Sequence, residues 1–332
     1  MITGDHPETA RNIATQLGIE AETVLTGDEI ERLEDDALGA MVSEPIAFAR
    51  VAPHHKLRIV DKLQDGDAIV AMTGDGVNDA PALRKADIGL AMGIRGTEVA
   101  KDASDLILLD DNYATIVRAI AEGRRQYANI RNFVHYLLAS NAGEVVALLI
   151  NIVMASPLIF LPVQILWMNL ITDGVTAVAL GLEPAQADQM KERPRKPRAR
   201  ILNRKSAMLI VAFGLYTGAA SLFIFERLLP LGTDLARTAA FTGMVIFEKV
   251  SVFAFRSFTV PVHRLRVFSN TPLIIAFAAM ILLQVAAVYW GPLQIVMHTV
   301  TLRAEDWGLI ALLALPLIVV PEAIKTLGIL RK

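Results

Sequence analysis

Two aspartates in the segment 74–79, Gly-Asp-Gly-Val-Asn-Asp, have the types and spacing of a magnesium site. Asp75 and Asp79 stand four positions apart after an apolar run, and Gly74 and Gly76 let the backbone turn tightly against a phosphate. Mg²⁺ prefers one or two carboxylates together with water and phosphate oxygens. An aspartate that follows a strand often only caps the next helix, but the segment as a whole favours a metal site.

Two further segments carry groups that bind phosphate. Residues 3–5, Thr-Gly-Asp, offer a hydroxyl and backbone N–H groups just before a predicted helix. Lys56 starts another predicted helix, where its ammonium group would be a point charge toward a phosphoryl oxygen, although a lone lysine is also typical of a solvated surface. The neighbouring His54 and His55 are not interpreted as metal ligands, because adjacent side chains diverge on a helix.

Polar side chains also interrupt two long apolar stretches in the second half of the chain. Asn141 and Glu144 stand three positions apart, and Asn169, Thr172 and Asp173 have the spacing of one helix face. A carboxylate inside a bilayer is costly, so it faces the interior of a helix bundle or an ion path. These oxygens predict a cage for a hard cation such as calcium; the alternative is that they only join helices by hydrogen bonds.

Two other features bear on this predicted cage. Gly174 after the second group and Pro162 before it predict local unwinding, which would free backbone carbonyls for coordination. Glu248 is a further acid in an apolar stretch, and its role stays open. It could be an ion ligand, a counter-ion for a proton, or a buried acid paired with Lys249 or Arg256.

The composition divides the chain into two parts that must position these groups. Of the 332 residues, 54% are hydrophobic and 20% are charged, against about 25% charged in a typical soluble domain. This bias and a mean hydropathy of +0.45 indicate membrane spans. Residues 1–136 hold 23 acidic and 14 basic side chains, whereas residues 137–332 hold 11 acidic and 18 basic ones. The chain has no cysteine, which excludes disulfides, thiolate metal sites and a cysteine nucleophile.

Residues 1–111 alternate short apolar runs with polar helical patterns. The candidate strands are 46–51, 68–73, 88–92 and 106–109, and the candidate helices between them include 6–17 and 54–63. Strands that alternate with helices predict a parallel sheet with ligand-binding groups at the carboxyl ends of its strands. The pattern alone is equally compatible with an α/β domain that has no chemistry.

Six apolar stretches have about the length needed to cross a bilayer. They are 133–155, 158–182, 207–230, 237–256, 272–291 and 307–329. The fourth is the least certain, because it contains Glu248 and Lys249. Residues 112–132 form a polar, arginine-bearing helical pattern that continues into the first stretch and predicts a stalk helix. The predicted transmembrane domain is 133–332.

Basic residues collect in the loops on one side of these stretches. The loop 183–206 holds eight Lys or Arg residues against three acids, including Lys191, Arg193, Arg195, Lys196, Arg198 and Arg200. Further basic residues on this side are Arg264, Arg266, Arg331 and Lys332. The positive-inside rule therefore predicts that the α/β segment, these loops and both termini are cytosolic. No aromatic interleaving supports binding of nucleic acid.

Four motifs resemble the later half of the phosphorylation domain of P-type ATPases. They are residues 1–5 (MITGD), 49–56 (ARVAPHHK), 72–81 (MTGDGVNDAP) and 101–112 (KDASDLILLDDN). The resemblance implies an α/β haloacid-dehalogenase-like partial domain followed by an all-α bundle of six transmembrane helices. It also implies a set of site residues: Asp75 and Asp79 for Mg²⁺, Asn78 in support, Lys56 on the phosphoryl group, and Thr3, Gly4 and Asp5 as the phosphate-binding motif.

Residues 140–146 and 162–174 are similar to the fifth and sixth spans of calcium pumps of the sarcoplasmic-reticulum and secretory-pathway kind. This similarity implies that the transported cation is held by Asn141, Glu144, Asn169, Thr172 and Asp173. Sodium/potassium pumps have an aspartate where this chain has Asn169, which argues against them. The eighth-span ligand of two-site pumps is expected near residues 257–258, where no acid occurs, so we expect one calcium ion per cycle.

The same resemblance identifies motifs that these residues lack. The Asp-Lys-Thr-Gly-Thr motif with the phosphorylated aspartate and the Thr-Gly-Glu motif of the actuator domain are both absent. We therefore expect the carboxyl-terminal part of a pump, inactive alone, from a truncated gene, a partial record or a split protein. Its missing amino-terminal domains and the lipid bilayer are the expected partners, and the plasma membrane is its expected location.

The function expected for the intact protein is ATP-driven cation transport with Mg²⁺ and ATP as cofactors. The resemblance favours Ca²⁺ as the exported ion and leaves manganese open. One alternative is a non-catalytic membrane remnant or regulatory subunit, which the missing nucleophile favours. The other is a membrane-anchored haloacid-dehalogenase-like phosphatase, which would need a nucleophilic Asp-x-Asp motif ahead of the others.

Overall fold

The computed structural model describes residues 1–19, 23–186, 189–192, 194–195, 199–258 and 260–327. These residues form two compact units. The first consists mainly of Met1–Ile120, and the second consists of Ala121–Glu192 and Arg200–Lys332.

The first unit is an α/β structure with short parallel strands. Its elements are α1 (Pro7–Gln16), β1 (Val24–Thr26), α2 (Gly27–Arg32), α3 (Asp35–Val42), β2 (Ala47–Ala49), α4 (Pro53–Asp65), β3 (Ala71–Gly74), α5 (Ala80–Lys85), β4 (Ile88–Met92), α6 (Glu98–Asp102) and β5 (Leu106–Leu108). Strand β1 pairs with β2, and β3, β4 and β5 pair in that order, all in parallel. The predicted parallel α/β arrangement is therefore confirmed.

The strands lie in two separate groups. Ile2 forms an isolated parallel bridge with Phe48 of β2, which adds a short third segment to the first group. In the part of the chain that the structure describes, β3 pairs with β4 along one edge only. The Ile2 segment and β3 therefore each present an edge without a strand partner among the described residues.

Each strand group has its own apolar core. Ile30, Leu38 and Ile59 from the helices pack against Phe48 in the first group. Leu83 and Ala100 from the helices pack with residues of β3 and β4 in the second group. The polar faces of the same helices remain exposed, which accounts for the helical periodicity in the sequence.

The second unit is a bundle of long apolar helices. Its elements are α7 (Tyr113–Val153, whose first eight residues belong to the first unit), α8 (Pro162–Leu166), α9 (Gly174–Leu180), α10 (Arg204–Leu228), α11 (Thr233–Phe255), α12 (Thr271–Tyr289), α13 (Gly291–Met297) and α14 (Ala304–Thr326). Six stretches of the described residues are long and apolar enough to cross a membrane. The prediction of six spans is confirmed.

Helix α7 combines the predicted stalk and first span in one continuous element of 41 residues. At 1.5 Å per residue its length is about 60 Å, roughly twice the thickness of the hydrocarbon core. About half of this helix must therefore lie outside the hydrocarbon.

The second span contains a π-helical segment, Trp167–Asp173, between α8 and α9. The sequence predicts local unwinding here, and the structure has a wider helical turn instead. A π-helical turn accommodates an additional residue without breaking the helix and often marks a functional site. Asn169, Thr172 and Asp173 all lie in this segment.

Helix α11 is the innermost of the spans. In its apolar window 83% of the residues are buried within the protein, against 17% to 44% for the other five spans. This burial explains why the span can contain Glu248 and Lys249, because both side chains face protein and not lipid.

Helices α7 and α10 approach each other closely at Gly143. A Cβ atom added at Gly143 would lie 2.2 Å from the Thr217 hydroxyl oxygen. One added at Gly218 would lie 2.8 Å from the Gly143 carbonyl oxygen. Small residues at such contacts are typical of helix packing within membranes.

Candidate functional sites

The loop that follows β3 holds its two aspartates in different environments. The Asp75 side chain is exposed, and it makes no hydrogen bond among the described residues. Asp79 is buried, and its Oδ2 accepts the backbone N–H groups of Asp75 at 3.2 Å and of Gly76 at 3.1 Å. A Cβ atom at Gly74 would lie 2.5 Å from that of Asp79, so this fold of the loop requires glycine there.

Lys56 joins the two strand groups of the first unit at this loop. It lies in the first turn of α4, just after β2, and its ammonium group donates to Oδ1 of Asp79. Burial raises the pKa of Asp79, but the hydrogen bonds from Lys56 and the loop backbone outweigh burial and lower that pKa overall. The structure therefore holds Asp79 as an anion beside Lys56 and leaves the Asp75 carboxylate open.

The Thr3–Asp5 segment forms a small turn at the carboxyl end of the Ile2 segment. The Thr3 hydroxyl donates to Oδ2 of Asp5 at 2.8 Å, and the Asp5 amide donates back to that hydroxyl at 3.2 Å. The Thr3 amide donates to the Phe48 carbonyl, which fixes the turn next to β2. Gly4 and Asn78 are exposed, and among the described residues no hydrogen bond joins either one to Lys56.

The arrangement of the His54 and His55 rings differs from the one expected from the sequence. Their rings do not diverge: the centroids lie 4.0 Å apart, and both Nε2 atoms contact Oε1 of Glu31. The Ala52 amide donates to Nδ1 of His55, so in the neutral ring the proton lies on Nε2 and points at Glu31. A metal ligand needs a lone pair at that nitrogen, so the contacts favour a hydrogen-bonded group over a metal site.

In the second unit three carboxyl groups converge inside the helix bundle; we call Glu144, Asp173 and Glu248 the carboxylate cluster. Each is at most 4% exposed, and Glu248 interacts electrostatically with both of the others. Four of their six oxygens have no hydrogen-bond partner among the described residues: Glu144 Oε1, Asp173 Oδ2 and both oxygens of Glu248. Buried oxygens without partners are costly, and a bound cation would satisfy them.

The predicted ligands on the second span divide around this cluster. The Asn169 side-chain amide donates to Glu144 Oε2 at 2.8 Å, which joins the π-helical segment to α7. Thr172 is buried, and its hydroxyl donates to the Met168 carbonyl at 3.0 Å. Asn141 is exposed and bonds the Leu137 carbonyl one turn earlier, so the structure does not bring it to the cluster.

Two side chains that the sequence analysis did not assign to the carboxylate cluster also contact it. The Tyr136 hydroxyl donates to Asp173 Oδ1 at 2.9 Å, and the Lys249 ammonium group donates to the same oxygen at 2.6 Å. A lysine inside an apolar stretch was a signal for Lys249, whereas nothing in the sequence pointed to Tyr136.

The suggested pairing of Glu248 with Lys249 or Arg256 is wrong. Adjacent side chains point about 100° apart on a helix, so Lys249 turns away from Glu248 toward Asp173. Arg256 makes a buried, bidentate ion pair with Glu183, and Asn270 donates to the same carboxylate. These contacts join the end of α11 to the segments after α9 and before α12.

The chain matches two protein-family models. Residues 157–327 match the family described as cation transporting ATPase, C-terminus, and residues 1–87 match the haloacid dehalogenase-like hydrolase family. The first match covers more than half of the 332 residues. The chain belongs to the cation-transporting ATPases. It is a multi-pass membrane protein, so the lipid bilayer surrounds its spans.

Curated relatives match the chain over nearly all of its length. The calcium-transporting ATPase of Bacillus subtilis is 45% identical over 93% of the chain, and the calcium-transporting ATPase type 2C member 2 of Rattus norvegicus is 38% identical over 98%. The probable cation-transporting ATPase F of Mycobacterium tuberculosis is 42% identical over 92%. The chain spans about a third of these relatives, 35% of each.

Proposed function

We propose that these residues are the carboxyl-terminal part of an ATP-driven pump that exports calcium across the cell membrane. The observation that carries this proposal is the carboxylate cluster with its open oxygens inside the spans. Calcium takes six to eight oxygen ligands, and carboxylates are its preferred charged donors. Two of the relatives are named calcium-transporting ATPases, which supports the choice of ion.

The proposed cage contains Glu144, Asn169, Thr172 and Asp173, with Glu248 as an additional donor. Asn169 already positions Glu144, and the π-helical segment turns Asp173 toward the bundle interior. Binding of a cation would draw the open oxygens of three helices together. We leave Asn141 outside the cage, since its side chain is exposed.

The proposed role of the first unit is to hold the phosphoryl group and Mg²⁺. The exposed Asp75 carboxylate fits a magnesium ligand, because its oxygens are open beside a glycine-containing loop. Bound Mg²⁺ would neutralise charge on the phosphoryl oxygens. Asp79 fixes the loop and orients Lys56, and Lys56 adds a positive charge at the same point. We propose Asn78 in support, with Thr3, Gly4 and Asp5 on the phosphate.

We propose that the first unit and both termini are cytosolic, because the loop 183–206 is basic. Lys191, Arg195 and Arg200 of that loop are described. Arg264 and Arg266 are described as well, whereas Arg193, Lys196, Arg198, Arg331 and Lys332 lie outside the described residues.

The test joins these 332 residues to the amino-terminal two thirds of the Bacillus subtilis relative to give a chimeric pump. We expect acid-stable phosphoenzyme from γ-labelled ATP that requires Ca²⁺, with Mn²⁺ assayed in parallel. Asp173→Asn should abolish the calcium-dependent formation of phosphoenzyme. The substitution removes one of the few negative charges that compensate calcium for the loss of its hydration shell. Asn141→Ala is the matched control on α7 and should retain it. Phosphorylation that is independent of both ions would contradict the proposed function.

A further inference from the structure

Lys249 is buried in the bundle with its ammonium group held entirely by oxygens. It is 0% exposed, and its Nζ donates to Asp173 Oδ1 at 2.6 Å, to the Tyr136 hydroxyl at 2.7 Å and to the Thr176 hydroxyl at 3.3 Å. These three acceptors use all three ammonium protons. They come from α7, the π-helical segment and α9, so oxygens from three elements surround one positive charge.

This arrangement differs from an ordinary ion pair between helices. A lysine that only tied helices together would need one carboxylate partner to compensate its buried charge. Here Asp173 Oδ2, Glu144 Oε1 and both oxygens of Glu248 stay open after Lys249 is placed. Lys325 shows the ordinary case: its ammonium group bonds the Ala254 carbonyl and Glu322 of its own helix.

The charges of the site leave room for one divalent ion. The carboxylate cluster carries three negative charges when ionised, and the Lys249 ammonium group reduces the total to two. One calcium ion balances that charge. A second calcium ion would have to share Asp173 with an ammonium group that is already in contact with it, and like charges repel strongly in a medium of low dielectric constant.

We infer that the Lys249 ammonium group is a built-in cation of the transport site, which takes the place of a second bound ion beside Asp173 and limits the pump to one divalent ion per cycle. This inference rests on the proposed function. On this inference, a residue on α11 limits the number of calcium ions, and not the absence of an acid near residues 257–258. The inference also explains how a buried lysine is tolerated next to the predicted ligands.

The experiment counts calcium ions bound at equilibrium per phosphorylation site in the chimeric pump, with ⁴⁵Ca²⁺ as the probe. We expect one ion for the unmodified chimera and two for Lys249→Gln, which removes the charge and frees Asp173 Oδ1. Lys249→Arg keeps the charge and should remain at one ion. Lys325→Gln is the control for loss of a buried lysine from a span and should also remain at one.

The outcomes separate the inference from the proposed function. A chimera without calcium-dependent phosphoenzyme contradicts the function itself. If the chimera forms phosphoenzyme but its Lys249→Gln variant still binds one calcium ion, the inference is overturned. The role of Lys249 would then be only to connect helices. If Lys249→Gln does not fold, Lys249→Arg decides: two ions in that variant overturn the inference, and one ion with a calcium affinity within threefold of the unmodified chimera supports it.

Discussion

Lys56 and Lys62 lie on the same helix and allow the role of one ion pair to be isolated. Both lysine side chains are 18% exposed, but Lys56 pairs with an Asp79 carboxylate that is 10% exposed, whereas the partners of Lys62 are more than half exposed. An exposed ion pair contributes little to stability, and removal of one partner from a buried pair leaves an uncompensated charge.

We therefore predict that Lys56→Ala loosens the 74–79 loop by about 1–3 kcal/mol of local opening free energy. The measurement is hydrogen–deuterium exchange at the Asp75 and Gly76 amides, both of which donate to Asp79. Exchange there should accelerate by about 5- to 140-fold, since 1.4 kcal/mol corresponds to a factor of ten. Lys62→Ala is the control and should leave these two amides unchanged.

Asp87 gives the first unit a pH-dependent contact. Its Oδ2 accepts the Val70 amide at 2.8 Å and the Gln64 side-chain amide at 3.1 Å, and these bonds lower the pKa of Asp87. A lowered pKa stabilises the folded state above the unfolded value near 4, and this contribution is lost as the pH falls through the folded pKa.

Asp87→Asn should therefore reduce the protection of the Val70 amide from hydrogen exchange at pH 7. The reduction should disappear only when the pH falls below the lowered pKa of Asp87 in the folded protein, because the native carboxyl group is then also neutral. Equal protection of the two proteins at pH 7 would show that the charge on Asp87 contributes nothing.

Among the elements, the π-helical segment sets the direction in which the second span presents its ligands. It holds seven residues, Trp167–Asp173, and Leu170 within it is 63% exposed and faces away from the bundle. Deletion of Leu170 should convert the segment to a regular α-helix and rotate Asp173 by about 100° relative to Asn169.

We predict that deletion of Leu170 lowers the calcium affinity of the chimeric pump by more than tenfold, whereas Leu170→Ala changes it by less than twofold. The assay is the calcium concentration that gives half-maximal phosphoenzyme. An unchanged affinity after deletion would mean that the wider turn does not position Asp173.

The α7–α10 contact offers a second comparison at this scale. Gly143→Ala places a Cβ atom against Thr217 and should destabilise the bundle by about 1–3 kcal/mol. Gly123→Ala on the same helix meets nothing within 4 Å and should stabilise it by up to about 1 kcal/mol. Thermal melting in detergent measures both, and Thr217→Ala should rescue Gly143→Ala by removing the clash.

The elements also show how far the sequence could predict this fold. Strand β4 was predicted with its observed bounds, and all six spans were found, because apolar runs of characteristic length report burial directly. Strand β1 was missed, because three residues form no pattern. The π-helical segment was missed too, since one additional residue in a turn leaves the apolar stretch unchanged.

The candidate sites were predictable to a different degree. The spacing of Asn169, Thr172 and Asp173 was enough to predict that they share one helix face. The contact of Lys249 with Asp173 joins positions 76 residues apart and depends on the rotation of α11 within the bundle. No periodicity reports that rotation, because α11 is buried on nearly all sides.

At the scale of the whole molecule, residues 1–332 contain no Asp-Lys-Thr-Gly-Thr motif. We expect Lys56 and a bound magnesium ion to stabilise charge on a phosphoryl group, but neither can replace an attacking carboxylate. We predict that the purified 332-residue chain forms no acid-stable phosphoenzyme with γ-labelled ATP, while the chimeric pump does. Radiolabel on the chain alone would contradict this prediction and require a nucleophile among the described carboxylates.

The divided sheet of the first unit has a consequence for handling the protein in solution. Among the described residues, the edge of β3 that faces away from β4 has no strand partner, and Ile69 just before β3 is 58% exposed. Leu106 and Ile107 of β5, at the opposite edge of this strand group, are also about half exposed. Open edges of this kind recruit strands from other molecules. Concentrated preparations of this chain should therefore self-associate through β3, and a lysine at the exposed Ala71 should suppress the resulting aggregates.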